Sequence, residues 1–262
     1  MRAAAIGAMV AALACGSASA QAPVAPPGGF PVAEQVRAVE AIDGATFRLE
    51  DGRTLRLANL AVVLPAVDRG GRSNDAAAEQ ARLRLARLAP AAIDLLAADL
   101  QADRYRRVVG HAVVDGRWLQ GELVAAGEAM VAVDATTRAL APNLLILEAA
   151  ARAARRGLWA GSARVLRADA PGWFEEGFAI LEGRVTAVET RSGTTVVSFG
   201  AERRRALTLT IVAGQRAAFR AAGLDPPRLA GATLRVRGVL RFAGGPVLEV
   251  SVPEQIERVR QP

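Results

Sequence analysis

The stretch VRAVEAIDGATFRLEDGRTLRLANLAVVLP, Val36 to Pro65, sets the architecture. It holds two tight-turn dipeptides, Asp43-Gly44 and Asp51-Gly52, between runs that alternate apolar and polar residues. Glycine takes a positive φ without steric cost, so Asp-Gly favours hairpin turns. Alternation with a period of two puts one face of each run against a core. The stretch therefore predicts a three-stranded antiparallel meander with one buried face, its strands near residues 36–42, 46–50 and 54–64.

Working outward, a polar loop DRGGRSN (68–74) leads to AAAEQARLRLARLA, a helix capped by Asn74 or Asp75 and stopped by Pro90. Its Arg82, Arg84 and Arg87 read as a solvated face. Residues 92–100 are apolar enough for a buried strand, although a helix fits too. YRRVVGHAVV, 105–114, reads as a strand, and 118–126 as an amphipathic helix with Gly127 at its C-cap. A long Ala/Leu-rich helix opens at Asn143 and ends before Gly157-Leu158-Trp159. Five strands and three helices over about 130 residues make a domain of ordinary size.

A small-residue and charged connector follows, and a second strand-rich unit begins near Phe178. GRVTAVET and TTVVSFG form a hairpin, ALTLTIV is a third strand, and a short helix ends at Gly223. TLRVRGVLRF and PVLEVSV are joined by Ala243-Gly244-Gly245. Five strands with one helix between the third and fourth is the element order of a small OB-type barrel.

Met1-Arg2, an apolar run to Ala14 and Ala18-Ser19-Ala20 read as a secretory signal cleaved after Ala20. The run is too short for a stable bilayer anchor, and no other segment is long and apolar enough to span a membrane. The predicted location is periplasmic or secreted; a lipoprotein anchored through Cys15 is the lesser reading. Cleavage removes the chain's single cysteine, so no disulfide supports the fold. The predicted organisation is signal 1–20, linker 21–33, first domain 34–161, linker 162–174 and second domain 175–262. All 33 basic residues are arginine, read first as the bias of a GC-rich genome, and the net charge is +7. That balance admits an anionic partner without requiring one, because the arginines are dispersed.

Four segments together resemble the staphylococcal-nuclease-like (thermonuclease) family over about Val36 to Trp159. They are Ile42-Asp43-Gly44-Ala45-Thr46, Leu55-Arg56-Leu57-Ala58-Asn59-Leu60, Asp103-Arg104-Tyr105-Arg106-Arg107-Val108, and the stretch from Leu123-Val124-Ala125-Ala126-Gly127 to Gly157-Leu158-Trp159. The resemblance implies an α+β, mainly β fold: a five-stranded OB-type barrel with three helices, here followed by a second small OB-like β-barrel. Active members hydrolyse phosphodiesters with one Ca²⁺, a carboxylate base and two arginines. Ca²⁺ takes hard oxygen ligands, and guanidinium groups stabilise charge on the phosphate.

Carried over position by position, the resemblance assigns the two arginines to Arg56 and Arg107 and the turn frame to Asp43 and Thr46. The turn's metal-binding Asp falls on Ala45. The strand's metal-binding Asp falls on Ala61, the adjacent ligand on Val62 and the general base on Leu64. Tyr105 matches the family tyrosine. Leu60 to Ala66 holds no acid, and Asp68 is the nearest carboxylate.

Arg56 and Arg107 are then either a residual phosphate-binding pair or inherited residues now paired with Asp43, Glu50 or Asp103. His111, the sole histidine, reads as a packed or surface residue rather than a base. The second unit resembles the small OB-like tail of some exported nuclease-like proteins. Its aromatics are few (Phe178, Phe199, Phe219, Phe242), which favours protein contact or a structural role over base stacking.

The resulting expectation is an exported, catalytically degenerate nuclease-like protein without a cofactor, acting as a binding or envelope-associated module. Its partner would be nucleic acid, another anion or an envelope protein. Two alternatives stand beside it: a Ca²⁺-dependent nuclease with an acid relocated to Asp68 or Asp43, and a nucleic-acid-binding module without chemistry.

Overall fold

The computed structural model describes residues 22–62, 72–88, 90–160, 165–170 and 176–259. The signal segment, Leu64 and Asp68 lie outside them.

The meander forms, but its third strand, expected over 54–64, ends at Leu57, where a turn at Ala58-Asn59 breaks it. β1 (Val32–Asp43), β2 (Thr46–Leu49) and β3 (Thr54–Leu57) pair antiparallel in sequence order. β4 (Leu60–Ala61) is two residues long, α1 (Arg72–Ala86) crosses over, and β5 (Ala91–Leu96) pairs with the outer half of β1. β6 (Gln101–Ala102), β7 (Val108–Gly110), β8 (Ala112–Val114) and β9 (Arg117–Trp118) follow, then α2 (Leu119–Ala125), β10 (Met130–Val131) and α3 (Ala141–Ala153). β7 runs parallel to β3, while β8, one residue further on, runs antiparallel to β5. One chain segment therefore joins both ends of the sheet β7-β3-β2-β1-β5-β8, which closes as an OB-type barrel.

His111 is the hinge residue between β7 and β8. Gln120 bridges the break, its amide donating to the Gly110 carbonyl at 2.8 Å and its carbonyl accepting from the Ala112 N–H at 3.1 Å. His111 is fully buried; its Nδ1 accepts from Trp118 Nε1–H at 3.3 Å and its Nε2 lies 3.7 Å from the Asp99 carboxylate. It is a packed core residue. Phe47, Leu55, Ile93, Leu95, Trp118 and Leu123 are among the side chains that fill the barrel.

Some element limits shift. α1 begins before Asn74 and Asp75, so neither caps it. The strand expected over 105–114 starts at Val108, because Asp103 ties 103–107 into a turn with Arg106 at φ +63°. α3 starts at Ala141 with Pro142 in its first turn, not at Asn143. β1 already includes Val32 and Ala33, and upstream Val24 is docked: its carbonyl accepts from Trp118 N–H at 2.7 Å.

The second barrel repeats the plan. β11 (Val165–Arg167) lies within the connector expected over 162–174, where apolar Val165 and Leu166 pair parallel with the next strand. β12 (Gly177–Arg184), β13 (Ala187–Arg191), β14 (Thr194–Ser198) and β15 (Thr208–Ile211) precede α4 (Arg216–Ala221). β16 (Thr233–Phe242), β17 (Pro246–Val250) and β18 (Ile256–Arg258) follow it. The path β12-β16-β17-β15-β14-β13 begins and ends on one bent strand, interrupted by two residues, and β15 runs parallel to β17 as β3 does to β7. Phe199, Phe219, Leu209, Ile211 and Val236 are buried in its core.

The two barrels share an interior. Ala61, Met130, Leu158 and Trp159 of the first cluster with Ile180 of the second. Beside them lies a charge network. Arg237 on β16 is 1% exposed and reaches Glu148 on α3, 0% exposed, at 2.8 Å. Arg237 also pairs with Glu257 on β18, which in turn meets Arg235 at 3.2 Å and Arg152 at 3.6 Å. Burial pushes the Glu257 carboxyl up, but Arg237 first, then Arg152 and Arg235, outweigh this and hold it below its ordinary value. A depressed folded-state pKa contributes stability that is present above the unfolded value and lost as pH falls through the folded one. The urea midpoint is therefore expected to fall as the pH drops below about 5, through the ordinary carboxylate range, and to fall less in Glu257→Gln.

Candidate functional site

The turn Asp43-Gly44-Ala45-Thr46 is held by its own first side chain. Asp43 Oδ1 accepts from the Ala45 N–H at 2.7 Å and Oδ2 from the Thr46 hydroxyl at 2.9 Å. Thr46 faces Arg56 across the β2–β3 ladder, which brings the guanidinium over the turn. Arg56 Nη1 lies 3.4 Å from Asp43 Oδ1 and 3.2 Å from Thr46 Oγ1, and Nη2 donates to the Leu60 carbonyl at 3.0 Å. Burial lowers the Arg56 pKa; Asp43 opposes that, Arg107 adds to it and Asp103 opposes it again. Guanidinium stays charged at neutral pH regardless.

Arg107 comes from the turn before β7. Asp103 accepts its backbone N–H at 2.9 Å and its Nε–H at 2.8 Å. Burial raises the Asp103 pKa, but these donors, with the Tyr105 N–H, bring it below the ordinary carboxylate value. The same turn lifts Tyr105 into solvent, 64% exposed. The Arg104 and Arg107 guanidinium carbons lie 4.7 and 5.3 Å from its ring centroid, and Arg104 Nη2 donates to its hydroxyl at 2.7 Å. Arg56, Arg104, Tyr105 and Arg107 line one cleft of about 500 Å³, whose far wall carries Asn59 and Asp134.

Thus the structure brings Arg56 and Arg107 to one cleft, and it pairs them with Asp43 and Asp103. Glu50 instead meets Arg37. Arg104 and Asn59 were missed. Arg104 was visible as part of the run Arg104-Tyr105-Arg106-Arg107, in which an aromatic sits among cations. Asn59 has φ +62°, a left-handed conformation that Asn tolerates, and its amide ties the turn before β4 to the loop between β10 and α3, donating to the Thr137 carbonyl at 2.6 Å.

The positions that the family resemblance assigns to metal ligands do not fit Ca²⁺. Ala45 is 0% exposed and shares the barrel core with Val62, while Ala61 is buried in the cluster between the two barrels. A Cβ on Gly44 would meet the Ala81 methyl at 2.7 Å, the Ala78 carbonyl oxygen at 3.1 Å and Val62 Cβ at 3.4 Å, so the turn packs directly on α1 with no carboxylate among its nearest neighbours. Methyl and isopropyl groups supply none of the oxygens Ca²⁺ requires. Among the described residues, no three His, Cys, Asp or Glu side chains are grouped as metal ligands.

Residues 71–161 match the family model described as Staphylococcal nuclease homologue. The first barrel is a staphylococcal-nuclease-like domain. The match begins next to α1 and runs through α3; β1 to β4, which complete the nuclease-like barrel, precede it. No curated protein matches the chain.

Within the nuclease-like domain, the closing segment Gly127 to Trp159 has a direct physical cause. Gly127 (φ +70°) and Gly157 (φ +49°) pack backbone against backbone, and Leu158 N–H donates to the Gly127 carbonyl at 2.7 Å. A Cβ on Gly157 would lie 2.4 Å from that carbonyl oxygen.

Proposed function

We propose that this protein binds single-stranded nucleic acid through the nuclease-like domain and does not hydrolyse it by the family's metal-dependent route. The observation that carries this reading is Tyr105. An exposed aromatic ring flanked by two guanidinium groups offers a base a stacking surface, and Arg56 and Arg107 offer its phosphates planar donors. Against hydrolysis stand the buried apolar side chains at Ala45, Ala61 and Val62. Asp43 is no free base either: its two oxygens already accept from Ala45, Thr46 and Arg56. The reading as a binding module delivered to the cell envelope rests on the signal-like segment before Gln21.

The experiment is fluorescence anisotropy with a labelled single-stranded oligonucleotide over a salt series, with and without Ca²⁺. Binding whose logarithm falls linearly with the logarithm of salt is expected. Tyr105→Ala removes one stacking platform and is expected to weaken binding by about 1–3 kcal/mol, roughly 5- to 150-fold. Cleavage of the oligonucleotide in Ca²⁺, abolished by Arg107→Ala, defeats the proposal and favours an enzyme with a relocated acid.

A further inference from the structure

We infer that Arg237, on the second barrel, is a positioning residue for the cleft of the first. Arg56 is anchored on one side by the Leu60 carbonyl at 3.0 Å. Leu60 and Ala61 form a strand of two residues, and its ladder partner is β10, Val131 facing Leu60 and Met130 facing Ala61. A two-residue ribbon has little stability of its own. β10 is braced from behind instead. Glu148 Oε1 accepts the Val131 N–H at 2.8 Å, and Arg237 Nη1 donates to the Val131 carbonyl at 3.0 Å and to Glu148 Oε1 at 3.1 Å. Both polar groups of Val131 on that side are thus satisfied by a buried ion pair whose cation belongs to the other barrel. Arg237, Val131, Leu60 and Arg56 form one unbroken line of contacts, and the second barrel thereby sets where the Arg56 guanidinium stands in the cleft.

The device explains why a barrel poor in exposed aromatics accompanies the nuclease-like domain. It need not touch the ligand to matter to it. Tyr105 and Arg107 lie on a turn built by Asp103 and do not depend on this line.

The test is hydrogen exchange of the full-length chain, followed by mass spectrometry at a temperature where circular dichroism shows each variant folded. Arg237→Met is expected to speed exchange at least tenfold in peptides covering 57–62 and 129–133, and to leave those covering β1 and β5 unchanged. Arg237→Lys keeps a cation for Glu148 but loses the fork, and it is expected to fall between; it also carries the test if Arg237→Met fails to fold. Unchanged exchange at β4 and β10, or a uniform rise across the barrel, overturns the inference. This arm needs no ligand. The second arm rests on the nucleic-acid reading: in an oligonucleotide double-mutant cycle, Arg56→Ala and Arg237→Lys should be non-additive, and additivity counts against the inference. A wild-type chain that binds no oligonucleotide removes the functional reading, while the exchange result still decides the role of Arg237.

Discussion

Glu148→Ala is expected to cost about 3–5 kcal/mol, the scale for removing one partner of a buried pair. The carboxylate is fully buried and meets Arg237 at 2.8 Å, Arg152 at 3.3 Å and the Val131 N–H at 2.8 Å. Alanine leaves the Arg237 guanidinium without its inner anion and the Val131 N–H without an acceptor. Glu257, more exposed, still pairs with Arg237 and limits the loss. Urea unfolding of the full-length chain provides the measurement. Glu148→Met combined with Arg237→Met removes both charges and is expected to lose less than Glu148→Ala alone, because a well-packed apolar pair does not carry the cost of a stranded ion. A double variant less stable than Glu148→Ala contradicts this account of the network.

Gly157→Ala is the second large effect. Its φ of +49° is left-handed, and an added Cβ would sit 2.4 Å from the Gly127 oxygen and 2.7 Å from the Ala126 oxygen. These are backbone atoms and cannot turn aside as a side-chain tip would. Conformational strain of about 1–2 kcal/mol adds to overpacking of about 1–3 kcal/mol, so a loss of roughly 2–5 kcal/mol is expected. Gly52→Ala is the control: it has φ +84° but open space around it, so it isolates the conformational part. Equal losses at the two glycines would show that the close packing of 127 on 157 contributes nothing.

The sequence carried the barrels well because their signals are local. Asp43-Gly44 and alternation specify β1 to β3, and the order of five strands with one intervening helix specifies the second barrel. What it did not carry depends on faces covered by distant chain. In TLRVRGVLRF, alternation predicts that Arg235 and Arg237 share an outer, wetted face. Yet Val236, Arg237 and Gly238 are all buried, since the first barrel covers the side that an isolated barrel would leave in water. Glu148, four residues before Arg152 on an Ala/Leu-rich helix, looks like half of a surface pair for the same reason. At the candidate site, the family resemblance located Arg56, Arg107 and Tyr105, and it left open which carboxylates hold the arginines. That Arg56 meets Asp43 follows from the 43–46 turn and the β2–β3 register, and that Arg107 meets Asp103 follows from the 103–107 turn; no periodicity encodes either.

The ion pair across the two barrels also has a history in time. Glu148 precedes Arg237 by 89 residues. For any chain that emerges N-terminus first, the nuclease-like barrel is complete in sequence long before Arg237 can reach Glu148, which until then has, among the described residues, only Arg152 of its own helix as a cation. The inter-barrel pair must therefore wait for the last stretch of the polypeptide, and the seam between the barrels is sealed only when the trailing half arrives.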